Sequence, residues 1–242
     1  MDRADGAEAA PEPVFGQIET ISLTERVISA LKEAFFTGKL KPGDPIIERQ
    51  LAREMNVGTP VVREALISLK HEGFVRRVNN KGSYVTQFAA EEVRQLYTLR
   101  IELETLALQW ARTRVTPADL DELTRLVDRL VEAGSLGNRA EFLRRDFEFH
   151  RHYWKLSGNT FLADLLERLM APLFAFVVLA SELPTTAAMG REHYVLVDAL
   201  RSMREPEFTE VVRKALTGFA LRWVGATTPS QARTVQTAAA QQ

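Results

Sequence analysis

Apolar residues recur at helical spacing near the start of the chain. Leu23, Val27, Leu31 and Phe35 fall on one face of a helix that Ser22 is placed to cap, and Gly38 with the run Lys41-Pro42-Gly43-Asp44-Pro45 stops it. A short helix is expected from about Glu48 to Met55. After Asn56-Val57-Gly58 another begins, with Thr59 at the N-cap, Pro60 at the first helical position and a buried stripe of Val62, Ala65, Leu66 and Leu69. Gly73 ends it. The pattern then turns strand-like: Phe74 to Val78 and Ser83 to Thr86 flank a polar turn, Asn79-Asn80-Lys81-Gly82. Helix, helix, tight turn, helix and hairpin is the order of a winged helix-turn-helix.

Beyond Ala89 the spacing is helical almost throughout. Helices are predicted at about 90–114, 117–133, 138–156, 160–182, 187–203 and 206–224, broken by Thr116-Pro117, Gly134 to Asn138, Ser157-Gly158-Asn159, Pro184 and Pro206. The fold class is therefore mainly α: an N-terminal winged helix-turn-helix and a C-terminal all-α bundle of six to seven helices. Residues 17–88 are assigned to the first domain and 89–225 to the second, with a disordered tail at 1–16 and a flexible one at 226–242.

Composition narrows the class. The 242 residues carry 31 Lys and Arg against 32 Asp and Glu, a net charge of −1, so bulk charge demands neither a polyanion nor a membrane. The first domain is mildly basic, with 11 Lys and Arg against 8 Asp and Glu. The acidic start (Asp2, Asp5, Glu8 and Glu12 against Arg3) lacks the charged-then-apolar order of a signal peptide. The apolar run Ala171 to Ala180 contains Pro172, and no apolar run approaches the roughly 18 residues of a membrane span. There is no cysteine, which removes disulfides, thiolate catalysis and cysteine-ligated metal, and fits a reducing cytoplasm.

If the helix from Thr59 enters a major groove, Thr59 and Pro60 face base edges, and Arg63 and Lys70 continue the same side. Arg49 opens the preceding helix within reach of phosphate, and Asn80, Lys81 and Gly82 form the tip of the wing. The alternative is that these are ordinary solvated charges on a module that binds protein. The blocks Gly38-Lys39-Leu40-Lys41-Pro42-Gly43-Asp44, Glu48-Arg49-Gln50-Leu51-Ala52, Pro60-Val61-Val62-Arg63-Glu64-Ala65-Leu66 and Glu72-Gly73-Phe74-Val75 closely resemble the DNA-binding domain of GntR-family transcriptional regulators. That resemblance implies double-stranded operator DNA as partner. Family members usually carry Ser-Arg-Thr-Pro where this chain has Gly58-Thr59-Pro60-Val61, and Ile67 and Ser68 stand where arginines are common, so a different operator sequence is expected.

In the second domain the helix around Asp146 turns Phe142, Leu143, Phe149, Tyr153 and Trp154 to the same side as Asp146 and His150, and His193 is flanked by Met189, Leu196, Val197 and Leu200. Buried polar groups need partners. A carboxylate and an imidazole at i, i+4 plus a second imidazole suit a divalent transition metal, zinc, nickel or manganese; an Asp–His hydrogen bond beside a core histidine is the plainer reading. Arg100 also points inward, either to pair with Glu104 or to bind an effector's carboxylate bidentately.

The segments Leu96-Tyr97-Thr98-Leu99-Arg100-Ile101-Glu102-Leu103-Glu104, Asp146-Phe147-Glu148-Phe149-His150, Ser157-Gly158-Asn159 and Glu192-His193 resemble the FCD ligand-binding domain of the FadR-like branch of that family. In metal-binding members two further histidines join the aspartate and histidine. Here Asp146, His150 and His193 match, and the register of the resemblance puts the fourth ligand on Ala215. Asn159 and Arg222 are further effector candidates. The resemblance implies a cytoplasmic, homodimeric regulator, a repressor in most of the family, whose operator affinity responds to a small organic acid. An enzymatic alternative, a metal-dependent hydrolase on Asp146, His150 and His193, lacks a convincing general base.

Overall fold

Ser22 caps the first helix reciprocally: its Oγ accepts from the Glu25 amide at 3.1 Å and the Glu25 carboxylate accepts from the Ser22 amide at 2.9 Å. The computed structural model describes residues 22–180, 184–202 and 204–226, with the side chains of 177–180 and 222–226 excepted. From that cap run α1 (Leu23–Phe36), β1 (Pro45–Ile46), α2 (Glu48–Glu54), α3 (Thr59–His71), β2 (Val75–Val78) and β3 (Gly82–Val85). The strands form an antiparallel sheet in the order β1-β3-β2, with Val75 opposite Val85 and Ile46 opposite Ser83. The helix-turn-helix and its wing are thus in place. The strand β1 was not foreseen, because two residues, one of them Pro45, carry no alternation to read. Gly58, not Thr59, is the N-cap of α3, which moves Thr59 and Pro60 into the first turn.

The bundle comprises α4 (Ala90–Arg112), α5 (Pro117–Ser135), α6 (Arg139–Leu156), α7 (Thr160–Ala180), α8 (Ala187–Arg191), α9 (Tyr194–Ser202) and α10 (Glu207–Ala226). Among the described residues seven helical segments are therefore seen, because the helix expected at 187–203 is broken after Arg191. Gly134 and Gly190 explain the break. A Cβ on Gly134 would lie 2.5 Å from the Thr186 carbonyl oxygen, and one on Gly190 would lie 3.0 Å from the Val131 backbone. Both glycines let α8 press onto α5, and the chain must then turn at Glu192–His193 to continue into the core as α9. Across that turn the amides of His193, Val195 and Leu196 bond three residues back, to Gly190, Glu192 and His193.

The two parts of the molecule share apolar packing. Phe35 stacks on Phe74 at 5.5 Å between centroids, and Phe176 of α7 meets both edge-on. Ala171 and Ala175 complete this cluster. At the end of α3, Gly73 adopts φ +81°, and a Cβ there would stand 3.2 Å from the Pro172 ring. The expected tails at 1–16 and 226–242 lie outside the described residues, apart from Ala226.

Candidate metal and effector centre

The α6 helix points Asp146 and His150 into the bundle, and the turn after α8 brings His193 against them. All three are buried, with a ligand atom from each within 4.8 Å of the others. His193 Nε2 lies 2.8 Å and His150 Nε2 3.6 Å from the same oxygen, Asp146 Oδ1. The imidazole of His193 is aimed by its backbone: Nδ1–H donates to the carbonyls of Gly190 at 3.1 Å and Met189 at 3.2 Å. With Nδ1 engaged in this way, Nε2 is the nitrogen turned toward the Asp146 carboxylate and the one free to serve as a metal ligand. The buried Asp146 Oδ1 has no hydrogen-bond partner among the described residues, its contacts being the two imidazoles.

Around His150 lies a polar network that the sequence revealed only in part. Its Nδ1 is 2.6 Å from the Tyr153 hydroxyl and 3.1 Å from Glu104 Oε1. Glu104 also accepts from Trp154 Nε1 at 3.0 Å and from Arg100 Nε at 3.0 Å. The Arg100 guanidinium lies 4.7 Å from the Phe174 ring centroid, and its Nη2 reaches His150 Nε2 at 3.1 Å. Arg100 thus does pair with Glu104, as one reading had it, while also touching the candidate metal residues.

Charges decide how this buried group titrates. Burial alone would raise the Glu104 pKa, but Arg100 and His150 hold it down at about 2. Burial likewise opposes ionisation of Asp146, and its contacts with His150 and His193 overcome that and keep it well below the usual carboxylate range. For His150 burial works against the charged form, yet the Glu104 carboxylate raises its pKa overall.

Phe142, Met189 and Phe219 close the site, leaving a cavity of about 10 Å³. That is room for roughly one water-sized species. The residues fit a metal ion: three hard or borderline donors, an orphaned carboxylate oxygen, and an imidazole whose tautomer is preset.

Three effector assignments are corrected or left aside. Ala215 does not line this cavity; one turn further along α10, Phe219 does, its ring stacked on His193 at 4.6 Å. An aromatic ring of α10 thus stands against His193, and Ala215, the position that the resemblance gave to a fourth ligand, lies outside the cavity lining. Asn159 caps α7, its Oδ1 accepting from the Leu162 amide at 2.9 Å, and borders a different cleft with Trp110 and Arg114. The side chain of Arg222 lies outside the described residues.

On the N-terminal side, Arg49, Pro60, Arg63, Lys70, Asn80, Lys81 and Gly82 are exposed and Thr59 is half-buried. Asn80 at φ 60° and Gly82 at φ 103° shape the wing turn. Arg63 is engaged more than the sequence suggests, donating to Glu48 at 3.0 Å.

Two family profiles match the chain: the gntR family of bacterial regulatory proteins over residues 23–85, and the FCD domain over residues 95–218. The chain belongs to the GntR family of bacterial regulatory proteins and carries its FCD domain. It is similar to the transcriptional repressor NanR of Cronobacter sakazakii, 30% identical over 208 residues covering 76% of this chain and 78% of that one. It is also similar to the transcriptional regulator McbR of Escherichia coli, 28% identical over 65% of this chain and 71% of the relative, and to the uncharacterised regulator YdhC of Bacillus subtilis, 33% identical over 57% and 62%. Among solved structures, E. coli McbR/YncC superposes with a TM-score of 0.70 at 24% identity, covering 85% of this chain and 97% of that one. A GntR regulator from Rhodococcus gives 0.72 at 21%, covering 84% and 98%. The chain is a transcriptional regulator and not an enzyme, and the hydrolase reading falls. Among the described residues no helix is long and apolar enough to cross a membrane.

Proposed function

We propose that this regulator is a cytoplasmic repressor that binds a two-fold symmetric DNA operator as a homodimer, and that a divalent transition metal held by Asp146, His150 and His193 takes part in setting its operator affinity. Residues 17–88 would serve DNA and 89–225 ligand and partner. One observation carries the metal: the buried Asp146 Oδ1 without a hydrogen bond, with His193 Nε2 at 2.8 Å and the other nitrogen of that ring fixed by carbonyls. When bound, the ion supplies positive charge and open coordination positions for an anionic effector such as an organic acid. The protein's own part is to orient the ligands: Glu104 and Tyr153 hold His150, and the α8 carbonyls hold His193. Arg100 stands beside them as the cation that a carboxylate would meet. The cavity has room for the ion alone, so an acid entering here requires Phe219 or Met189 to swing aside.

Support for the DNA role comes from the exposed face of Pro60, Arg63 and Lys70 and from the wing at Asn80–Gly82. Support for the homodimer comes from apolar side chains left exposed on the bundle: Leu99 and Trp110 on α4, Phe161 and Leu165 on α7.

Elemental analysis of tag-free protein tests the centre, with about one zinc, nickel or manganese ion per chain expected and none in His193→Ala. Equal metal content in both proteins refutes it. Duplexes selected from a random pool test the operator. Binding by fluorescence anisotropy is expected to weaken steeply with salt and about tenfold or more on Arg63→Ala. Salt-insensitive binding rejects the DNA face.

A further inference from the structure

Where the bundle meets the winged helix, α1, α6 and α7 enclose a second cavity, of about 340 Å³. This is the scale of a small-molecule site, and it dwarfs the space beside Asp146. Its inner wall is aromatic: Phe36 and Phe74 from the DNA-binding side, Phe147 from α6, with Phe36 and Phe147 centroids 6.4 Å apart. Its rim is charged. Lys32 pairs there with Glu72, and Arg144 with Glu33 at 3.0 Å. Two guanidiniums on the same rim are only weakly engaged. Arg151 meets Glu167 at 3.5 Å, and among the described residues Arg168 makes a single 3.4 Å hydrogen bond, to the His71 carbonyl at the end of α3. Each guanidinium has five N–H donors, so most of theirs remain available to a ligand.

We propose that this junction is a second ligand site, taking a small organic anion whose apolar body lies on Phe36, Phe74 and Phe147 while its carboxylate or sulfonate is gripped by Arg151 and Arg168. Aromatic walls with two planar cations at the mouth suit that combination and disfavour both a bare inorganic anion and an uncharged apolar molecule. The position gives the site its meaning. Phe147 follows Asp146 directly on α6, so a ligand here lies against the back of the helix that carries the candidate metal residues. Arg168 already touches the last turn of α3. An anion drawing Arg168 inward releases the His71 carbonyl, which couples this cavity to the recognition helix without passing through the metal centre.

The binding claim stands apart from the proposed regulation of DNA and is tested first, on the full chain. The probe is 8-anilinonaphthalene-1-sulfonate, whose emission rises when its rings leave water, displaced by unlabelled 4-phenylbutyrate or by 4-phenylbutanol. One saturable site is expected, displaced by the acid and not by the alcohol. Affinity should fall about tenfold or more in Arg151→Ala/Arg168→Ala, from loss of charge-assisted hydrogen bonds. It should also be lost in Ser29→Trp, which places a ring at the exposed lip of the cavity; circular dichroism melts verify that both variants are folded. Several equivalent sites, equal displacement by the alcohol, or affinity unchanged in the two folded variants overturns the proposal. Operator affinity with and without 4-phenylbutyrate is read separately. A normal probe site on a protein that binds no DNA defeats the operator binding proposed above and leaves this site standing.

Discussion

Glu104 is the residue on which the bundle's polar interior turns. It is fully buried and takes hydrogen bonds from Arg100 and Trp154 while facing His150. Replacing it with alanine leaves the Arg100 guanidinium buried without its counter-ion, so Glu104→Ala is expected to cost about 3–5 kcal/mol in urea denaturation. Arg100→Leu/Glu104→Leu, which removes both charges, should recover much of that. The carboxylate also sets an acid limit. Its pKa is lowered from 4.5 to about 2 in the fold, so its contribution is complete above about pH 4.5 and disappears as pH falls toward 2. Wild-type melts between those values should lose more stability than melts of the doubly substituted protein. Of these groups, Asp146, His150, His193 and Arg100 were legible from the sequence because each interrupts an apolar helical face. Glu104 was legible only as a neighbour of Arg100. Its role as an acceptor for Trp154, fifty positions away, depends on how α4 and α6 cross, which no spacing records.

At the scale of elements, the break between α8 and α9 makes the site. A continuous helix over 187–203 would commit the Met189 and Gly190 carbonyls to amides four residues on; at the turn the Gly190 carbonyl accepts from the His193 amide instead, and both carbonyls lie within reach of His193 Nδ1. Gly134→Val is therefore expected to push α8 off α5, lowering the melting temperature and weakening metal uptake, even though residue 134 touches no ligand. Isothermal titration with zinc reads the second effect, and a variant that melts lower with unchanged zinc affinity would separate the two. The sequence marked Gly134 as a helix stop, since glycine before Ser135 and Gly137 reads as a breaker. Its actual use, backbone contact with Thr186, is a tertiary fact. The winged helix was read nearly whole because its caps, turn glycines and alternating strands are local signals. Which residue of α10 meets His193 was not, because Ala215 and Phe219 share one apolar face and only packing selects the ring that lies there.

Among the described residues the winged helix packs on the bundle through an apolar junction, with Phe176, Pro172 and Phe147 on the bundle side and Phe35, Phe36 and Gly73 on the other. If metal at Asp146 acts on DNA through α6, Phe147→Ala should keep metal uptake and operator binding but reduce the effect of one on the other. Anisotropy with and without zinc measures this, and the typical coupling of about 1–3 kcal/mol gives the scale of the expected loss. Assembly is a separate matter: Trp110→Glu with Phe161→Glu should turn a dimer into a monomer by light scattering, with a large drop in operator affinity because half-sites are then bound singly. The Gly73–Pro172 contact has a further consequence, for building chimaeras. The α3 helix ends on a glycine at φ +81°, with the Pro172 ring 3.2 Å from where a Cβ would stand, so a DNA-binding module transplanted from a relative onto this bundle is strained there unless it too ends in glycine or brings its own α7. Domain exchange among such regulators is thus limited less by what either half recognises than by whether a single turn of backbone fits over one ring.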